Sequence, residues 1–303
     1  MATLDDLIAS IRSWKRGEVR APHKPLLLLI ALARIQRGEP RLIPYRATDG
    51  GLDIETKLGA LLREYGPRRK SYHPEYPFWR LQSDGLWEVP QAPALRAERG
   101  EHRNRNMPVS LLRKHGAHGG LPEHLDARLR RDPAEVNRLA GLLLDAHFPP
   151  SMHEELLDAI GMPWVMVGHR RRRRRDPGFR DAVLRVYEYR CAVCGYAGRL
   201  GQRALNLEAA HVRWHAYGGP DQLDNGVALC TFHHRAFDRG AIGLDDRRHI
   251  LVSQEVHGGS HTENWLLRWS GQPLMRPQSG QPPPAAEHVA WHRSQVFRAP
   301  PRL

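Results

Sequence analysis

The sequence predicts an α+β protein of two domains: a mixed helix-plus-hairpin front half, then a small strand–loop–strand–helix unit stapled by metal. Three observations carry this. Apolar residues recur at helical spacing over much of positions 1–165, interrupted by one aromatic-rich stretch with strand character. All three cysteines fall into two short-spaced pairs, Cys191-x-x-Cys194 and Cys230-x-x-His233. Between the halves lies GHRRRRRRDPG, with six consecutive arginines from Arg170 to Arg175. Such a block repels itself and cannot join a core, so it marks a solvated linker or an arm along phosphates. The expected divisions are 1–165, an Arg-rich linker at 166–178, and 179–303 with a C-terminal wrap.

In the front half, APHKPLLLLIALARIQRG has the pattern of a buried helix opening at Pro22 or Pro25. GLDIETKLGALLREYG follows as an amphipathic helix with Leu58, Leu61, Leu62 and Tyr65 on one side. YPFWRLQ and LWEV are expected as two short strands joined by a Ser-Asp-Gly turn. Further helices are expected at Pro108–His115, Pro122–Arg131 and Pro133–His147. At least two of Phe78, Trp79 and Trp87 should be core. Basic residues interleave with aromatic rings here: His23 and Lys24 at a helix entrance, then Arg68, Arg69 and Lys70 before Tyr72, His73, Tyr76, Pro77 and Trp79. RKHGAHGG adds cations beside glycines that permit close backbone approach. This composition suits a backbone-reading DNA site with an apolar pocket.

The second domain carries the chemistry. Zinc prefers four thiolate or imidazole ligands in a tetrahedron, supplied by two short-spaced pairs. Cys191, Cys194, Cys230 and His233 are that set; a redox Cys-x-x-Cys would need no third cysteine at a Cys-x-x-His. LNLEAAHV (205–212) is expected as a strand, GVALC (226–230) as its return partner, and TFHHRAFD as the start of a helix. Adjacent side chains on a helix diverge by roughly 100°. His233 can therefore close the zinc knuckle while His234 faces a different site and binds a catalytic cation. His211, at the end of the first strand, can take a proton from water. Asn225 could hold the His211 loop. Each histidine alone would more often be structural; the ordered combination points to a one-metal nuclease. The Pro/Gly/Gln stretch 271–284 should wrap the surface, and AAEHVAWHRSQVF should dock a last helix through Val289, Trp291 and Val296.

Composition agrees. The 303 residues have room for two ordinary domains, and a formal charge of +13 with a pI near 10.3 calls for a polyanionic partner, nucleic acid before membrane. The longest apolar run, Pro25–Ala33, is too short to span a bilayer. The N-terminal MATLDDLIAS is acidic where a secretory signal would be basic. Three cysteines cannot complete a disulfide set, which favours metal in a reducing, intracellular compartment.

The segment from Tyr187 to Ser253 resembles the ββα-metal, or HNH, nucleases, and LEAAHV…GG…DNGVALC…HHRAFDRG resembles their bacterial restriction-enzyme branch. The resemblance implies His211 as general base, Asn225 as middle residue and His234 as ligand to a divalent cation, Mg²⁺ or Mn²⁺. Many members carry an acidic residue or histidine directly before the base; here that position is Ala210. Glu208, on the same strand face as Ala210, is the best substitute ligand, ahead of Asp238 and His215.

PHKPLLLL, HPEYPFWRLQSDGLWEV and LLRKHGAHGG resemble the sulfur-binding domain of phosphorothioate-dependent restriction endonucleases, across roughly Leu4 to Phe148. That resemblance implies recognition of double-stranded DNA in which sulfur replaces a non-bridging phosphate oxygen. Tyr76 and Pro77 would wall the sulfur pocket, His23 and Lys24 would flank the modified phosphate, and Lys114, His115 and His118 would reach neighbouring phosphates or base edges. Lys24 stands where the family often has arginine, keeping the charge but losing the bidentate fork. The expectation is a modification-dependent endonuclease of the type IV restriction kind. The alternatives are an HNH nuclease reading ordinary sequence and a non-catalytic reader of modified DNA. Double-strand cutting from one site per chain is compatible with a homodimer.

Overall fold

The computed structural model describes residues 19–48, 50–100, 106–162 and 177–302. The six-arginine run and most of the expected linker lie outside these residues. The chain divides into two compact units, Met1–His147 with Glu154–Arg170, and Phe148–His153 with Arg171–Leu303.

The first unit is built on helix α1, His23–Gln36. Pro25 falls in its first turn, where a missing N–H costs no helical hydrogen bond, and the first bond runs from Leu26 N to Pro22 O. Every position from Pro25 to Ile35 is buried, so α1 has no solvent stripe and forms the centre of the unit. Gly38, at φ 69°, ends it in a conformation that favours glycine. Strand β1 (Ile43–Pro44) precedes helix α2 (Ile54–Tyr65), which Asp53 caps by accepting from Thr56 N at 2.6 Å. The inward residues of α2 are the predicted Leu58, Leu61, Leu62 and Tyr65, joined by Ile54. Fully burying such a leucine contributes roughly 1.5–3 kcal/mol.

The aromatic stretch departs from expectation. Residues Glu75–Arg80 form helix α3, and a 3-10 turn follows at Leu81–Asp84; there is no YPFWRLQ–LWEV hairpin. Pro74 and Pro77 sit where a helix start tolerates proline, and the buried residues Pro77, Phe78 and Leu81 follow helical rather than alternating spacing. Gly85, at φ 71°, ends the turn, and Glu88 then bridges Gly120. Phe78, Trp79 and Trp87 are all buried. Helices α4 (Ala92–Arg99), α5 (Val109–Lys114), α6 (Glu123–Arg131), α7 (Pro133–His147) and α8 (His153–Ile160) complete the front half, with β2 (His118–Gly119) pairing antiparallel to β1. Two glycines of RKHGAHGG, Gly119 and Gly120, are buried, while Gly116 is exposed with open space beside it. A Cβ on Gly119 would lie 2.3 Å from Trp87 Nε1, and one on Gly120 would lie 2.4 Å from Arg41 O.

In the second unit, helix α9 (Pro177–Val186) packs on an antiparallel ribbon of β5 (Leu207–His211) and β6 (Gly226–Cys230). The register pairs Leu207 with Cys230 and His211 with Gly226. Gly226 permits the close approach of α9, since a Cβ there would lie 2.4 Å from Val183 Cγ2. Helix α10 (Thr231–Asp238) leaves β6 directly and packs back on both strands. A small hairpin, β3 (Arg199–Leu200) and β4 (Arg203–Ala204), precedes the ribbon. The pair β7 (Ile242–Leu244) and β8 (Ile250–Val252) follows it. Short helix α11 (Ser260–Trp265) and the last helix α12 (Ala286–Gln295) complete the unit, with Val289, Trp291 and Val296 buried as the sequence predicts. The 271–284 stretch is mostly exposed, and backbone bonds such as Met275 N to Ala192 O pin it down.

Candidate active site and DNA-reading site

The two cysteine pairs meet because β6 delivers Cys230 to the first turn of α10 while a turn after α9 presents Cys191 and Cys194. Their sulfurs and a His233 ring nitrogen all lie within 4.8 Å of one another. His233 Nδ1 is 3.1 Å from Cys230 Sγ and 3.6 Å from Cys191 Sγ. Its Nε2 donates to Trp265 O at 2.8 Å, which fixes the tautomer and turns the Nδ1 lone pair toward the sulfurs. The four donors compete for protons. Hydrogen bonds with Cys194 and then Cys230 hold the Cys191 thiol well below its ordinary range, while its bond to Cys191 drives Cys230 far above. His233 is pushed up to about 9, its burial outweighed by hydrogen bonds with Cys191 and Cys194. A divalent cation at the centre would resolve this conflict, and among the described residues no other group of three or more such donors converges.

The adjacent histidine faces elsewhere. His234 Nδ1 lies 2.7 Å from Glu208 Oε2, and its Nε2 lies 3.3 Å from Asp238 Oδ2, one helical turn on. Asp238 is buried and also accepts from the Ser151 hydroxyl. Glu208 is half-exposed, on the face of β5 it shares with Ala210.

At the other end of β5, His211 is buried with its ring stacked on Phe179 at 4.3 Å and 18°. Its Nε2 donates to Asp221 Oδ1 at 2.6 Å. Asp221 escaped the sequence reading; its place in GGPDQLDN, four residues before Asn225, was the available signal. Asn225 is fully buried. Its Oδ1 accepts from Arg213 N at 2.8 Å, and its Nδ2 donates to Arg213 O and Pro220 O, both at 3.0 Å. One side chain thus ties both arms of the loop that carries His211 and Asp221. Gly219 is needed there, since a Cβ would lie 1.8 Å from Arg213 O. The His215 ring stands edge-on to His211 at 6.0 Å.

In the first unit, His23 opens α1, and Tyr76 and Pro77 lie on α3, which packs against it. The Tyr76 ring stacks on His73 at 4.5 Å and 7°, with the Arg80 guanidinium 4.9 Å from its centroid. His73 Nδ1 lies 2.8 Å from buried Glu75. Burial, then the charges of Arg69, His73 and Arg80, lower the His23 pKa to about 4, so the ring is neutral at pH 7. Arg80 was missed in the sequence because YPFWRLQ was read as a strand. Lys24 is held by Asp84 at 2.5 Å, while Lys114 and His115 share Glu98, each at 2.6 Å. Those two bonds hold the Glu98 carboxyl below its usual range. His118 lies in β2, its backbone N donating to Gln91 Oε1 at 3.1 Å.

Residues 1–164 match the family model for the ScoMcrA-like DNA sulfur-binding domain. The chain belongs to that family. Behind its sulfur-binding domain, residues 191–245 match an HNH endonuclease model, so this ScoMcrA-like chain carries the two parts of a modification-dependent DNA endonuclease. Solved structures similar to it include the sulfur-binding domain of ScoMcrA complexed with phosphorothioated DNA, at 26% identity over 55% of this chain and 98% of that one, with a TM-score of 0.46. The type IV phosphorothioation-dependent restriction endonuclease ScoMcrA itself matches at 26% identity and a TM-score of 0.42. That match covers 52% of this chain but 32% of the ScoMcrA structure. The sulfur-binding domain of SprMcrA complexed with phosphorothioated DNA matches at 25% identity over 52% of this chain and 90% of that one, with a TM-score of 0.39. No curated protein matches. No described helix is long and apolar enough to cross a membrane.

Proposed function

We propose that this ScoMcrA-like endonuclease binds phosphorothioated double-stranded DNA through residues 1–165 and hydrolyses nearby phosphodiester bonds through residues 179–303, in the bacterial cytoplasm. The family match of the front half carries this reading. Sulfur is larger and more weakly hydrated than the oxygen it replaces, so an apolar wall favours it, while oxygen there loses solvation without compensation. Tyr76 and buried Pro77 would supply such a wall, with cationic Arg80 over the Tyr76 ring and neutral His23 on the helix packed against theirs. Lys24, Lys114, His115 and His118 would reach phosphates or base edges; the first three would exchange their carboxylate partners for phosphate oxygens.

In the nuclease unit, Cys191, Cys194, Cys230 and His233 would hold a structural Zn²⁺, which would tie the turn after α9 and the Cys230 end of the ribbon to α10. His234 and Glu208 would hold the catalytic Mg²⁺ or Mn²⁺, with Asp238 fixing the far nitrogen of the ring. When bound, that cation supplies charge neutralisation at the scissile phosphate and the leaving 3′-oxygen. Because His211 Nε2 donates to Asp221, the basic lone pair of the neutral ring is on Nδ1, the atom that takes the proton from the attacking water. Asp221 stabilises the imidazolium so formed. Asn225 acts on the same ring by holding its loop.

A paired assay tests the whole. One duplex sequence is prepared with and without a single phosphorothioate and offered with Mg²⁺ or Mn²⁺ at salt high enough to suppress bulk phosphate attraction. Binding and cutting of only the sulfur-bearing duplex is the expected result. Equal cutting of both would leave an HNH nuclease without sulfur dependence.

A further inference from the structure

The β3–β4 hairpin has no part in the zinc cluster or the catalytic pairs, yet it carries an unusual surface. Leu200 at its tip is 73% exposed, and Leu205 at its base is also exposed. From Gly195 to Asn206 the chain has two cations, Arg199 and Arg203, and no acidic residue. Both arginines are exposed, and Arg199 lies over the Tyr189 ring at 5.1 Å. The same edge continues onto α10: Thr231 N donates to Asn206 O at 3.0 Å, and the next residue, Phe232, meets Trp265 edge-on at 5.7 Å. Both of those rings are exposed. Leu205 lies three residues before Glu208 in the chain, which places their backbones at most about 11 Å apart. A duplex whose phosphate reaches Glu208 and His234 therefore runs beside this edge.

We propose that this edge is a second DNA contact of the nuclease unit, in which Arg199 and Arg203 pair with backbone phosphates and Leu200 enters the minor groove as an apolar wedge. Exposed leucine flanked by unopposed arginines is the chemistry of groove-inserting architectural contacts, where partial unstacking bends the duplex toward the protein. Here the bend would present the scissile phosphate to the Glu208–His234 pair. A second copy of the chain is the less suited occupant, because the hairpin offers two positive charges and no acid to oppose a symmetric mate. The inference rests on the DNA-cutting reading but not on sulfur dependence.

The test uses the full chain, with Ca²⁺ replacing the catalytic ion during binding to prevent cutting. The salt dependence of duplex binding is compared between the natural chain and R199Q/R203Q. Loss of two phosphate contacts should reduce the slope of log K against log salt by about 2. Leu200→Ser should keep the slope, lower cutting at saturating DNA by roughly tenfold, and abolish a fluorescence rise from 2-aminopurine placed at the cut step. All three positions are exposed, and circular dichroism with zinc content verifies the fold. An unchanged slope together with unchanged cutting overturns the proposal, as does a slope unchanged while sedimentation shows a lost dimer. Equal cutting of sulfur-bearing and ordinary duplex by the natural chain would overturn only the sulfur reading, and the hairpin result would still be read on ordinary DNA.

Discussion

His211 and Asp221 form a part-buried imidazole–carboxylate pair, with 2.6 Å between Nε2 and Oδ1 and with Phe179 stacked on the ring. The strand that carries His211 and the loop that carries Asp221 are held in place by the three hydrogen bonds of the Asn225 side chain to backbone. This arrangement sets both the tautomer and the ring angle of His211.

Asp221→Asn should leave DNA affinity within twofold, because the side chain is engaged by His211. The amide keeps a hydrogen-bonding shape but loses the charge that stabilises the imidazolium. Cutting should fall by about 10²-fold, and the acidic limb of the pH–rate profile should move to lower pH, since His211 then holds its proton less tightly. Single-turnover cleavage across pH 5–9 checks this. A loss in rate with no shift of that limb would make Asp221 merely structural.

The His234–Glu208 pair yields a different signature. Glu208→Gln should weaken catalytic-cation affinity by roughly 10–100-fold, with cutting partly restored at high Mn²⁺. Zinc content and melting temperature should not change, because Glu208 is half-exposed and remote in role from the cysteine cluster. Metal titration of cleavage, with zinc measured in parallel, separates the two sites. His211→Ala should also abolish cutting with binding intact, but no metal concentration should rescue it.

Much of this second unit was legible from residues alone, because ligand spacing is a strong constraint. Cys-x-x-Cys and Cys-x-x-His left few ways to arrange the ribbon, and the 100° offset between His233 and His234 separated their partners. Asp221 was illegible for the opposite reason: it reaches His211 across a loop, and nothing in local periodicity connects positions 211 and 221. In the front half, buried helices α1 and α2 were readable from apolar pattern and capping signals. The YPFW segment was not, because aromatic content favours strand while Pro74, Pro77 and the tertiary burial of Phe78 favour helix. The same error hid Arg80, whose place over Tyr76 depends on that helix.

Cys194→Ala should release zinc and unfold the nuclease unit, leaving the cysteine and histidine donors in conflict over protons. The expected readout is zinc loss by metal analysis together with loss of the more zinc-dependent unfolding transition on heating. Phosphorothioate binding by the front half should survive. A variant that stayed folded without metal would show that packing around Val183, Val227 and Phe237 suffices, and the staple would be dispensable.

The last prediction concerns His23, whose pKa of about 4 lies below the unfolded value of 6.5 because burial and the Arg69, His73 and Arg80 charges oppose protonation. Between those values the unfolded chain binds the proton and the folded chain does not, so stability rises with pH across that window. The cost of keeping His23 neutral is absent above pH 6.5, grows as pH falls, and is complete below about 4. At pH 5 the difference amounts to about 2 kcal/mol. His23→Gln removes the titration, so the variant should lose less stability than the natural chain between pH 7 and pH 5. Urea unfolding at the two values, followed through the front-half tryptophans Trp79 and Trp87, measures it. Phosphorothioate affinity adds an independent readout. A neutral His23 beside Tyr76 predicts affinity that is flat from pH 8 to pH 6, whereas a charged His23 on the modified phosphate predicts affinity that climbs as pH falls through 6.5.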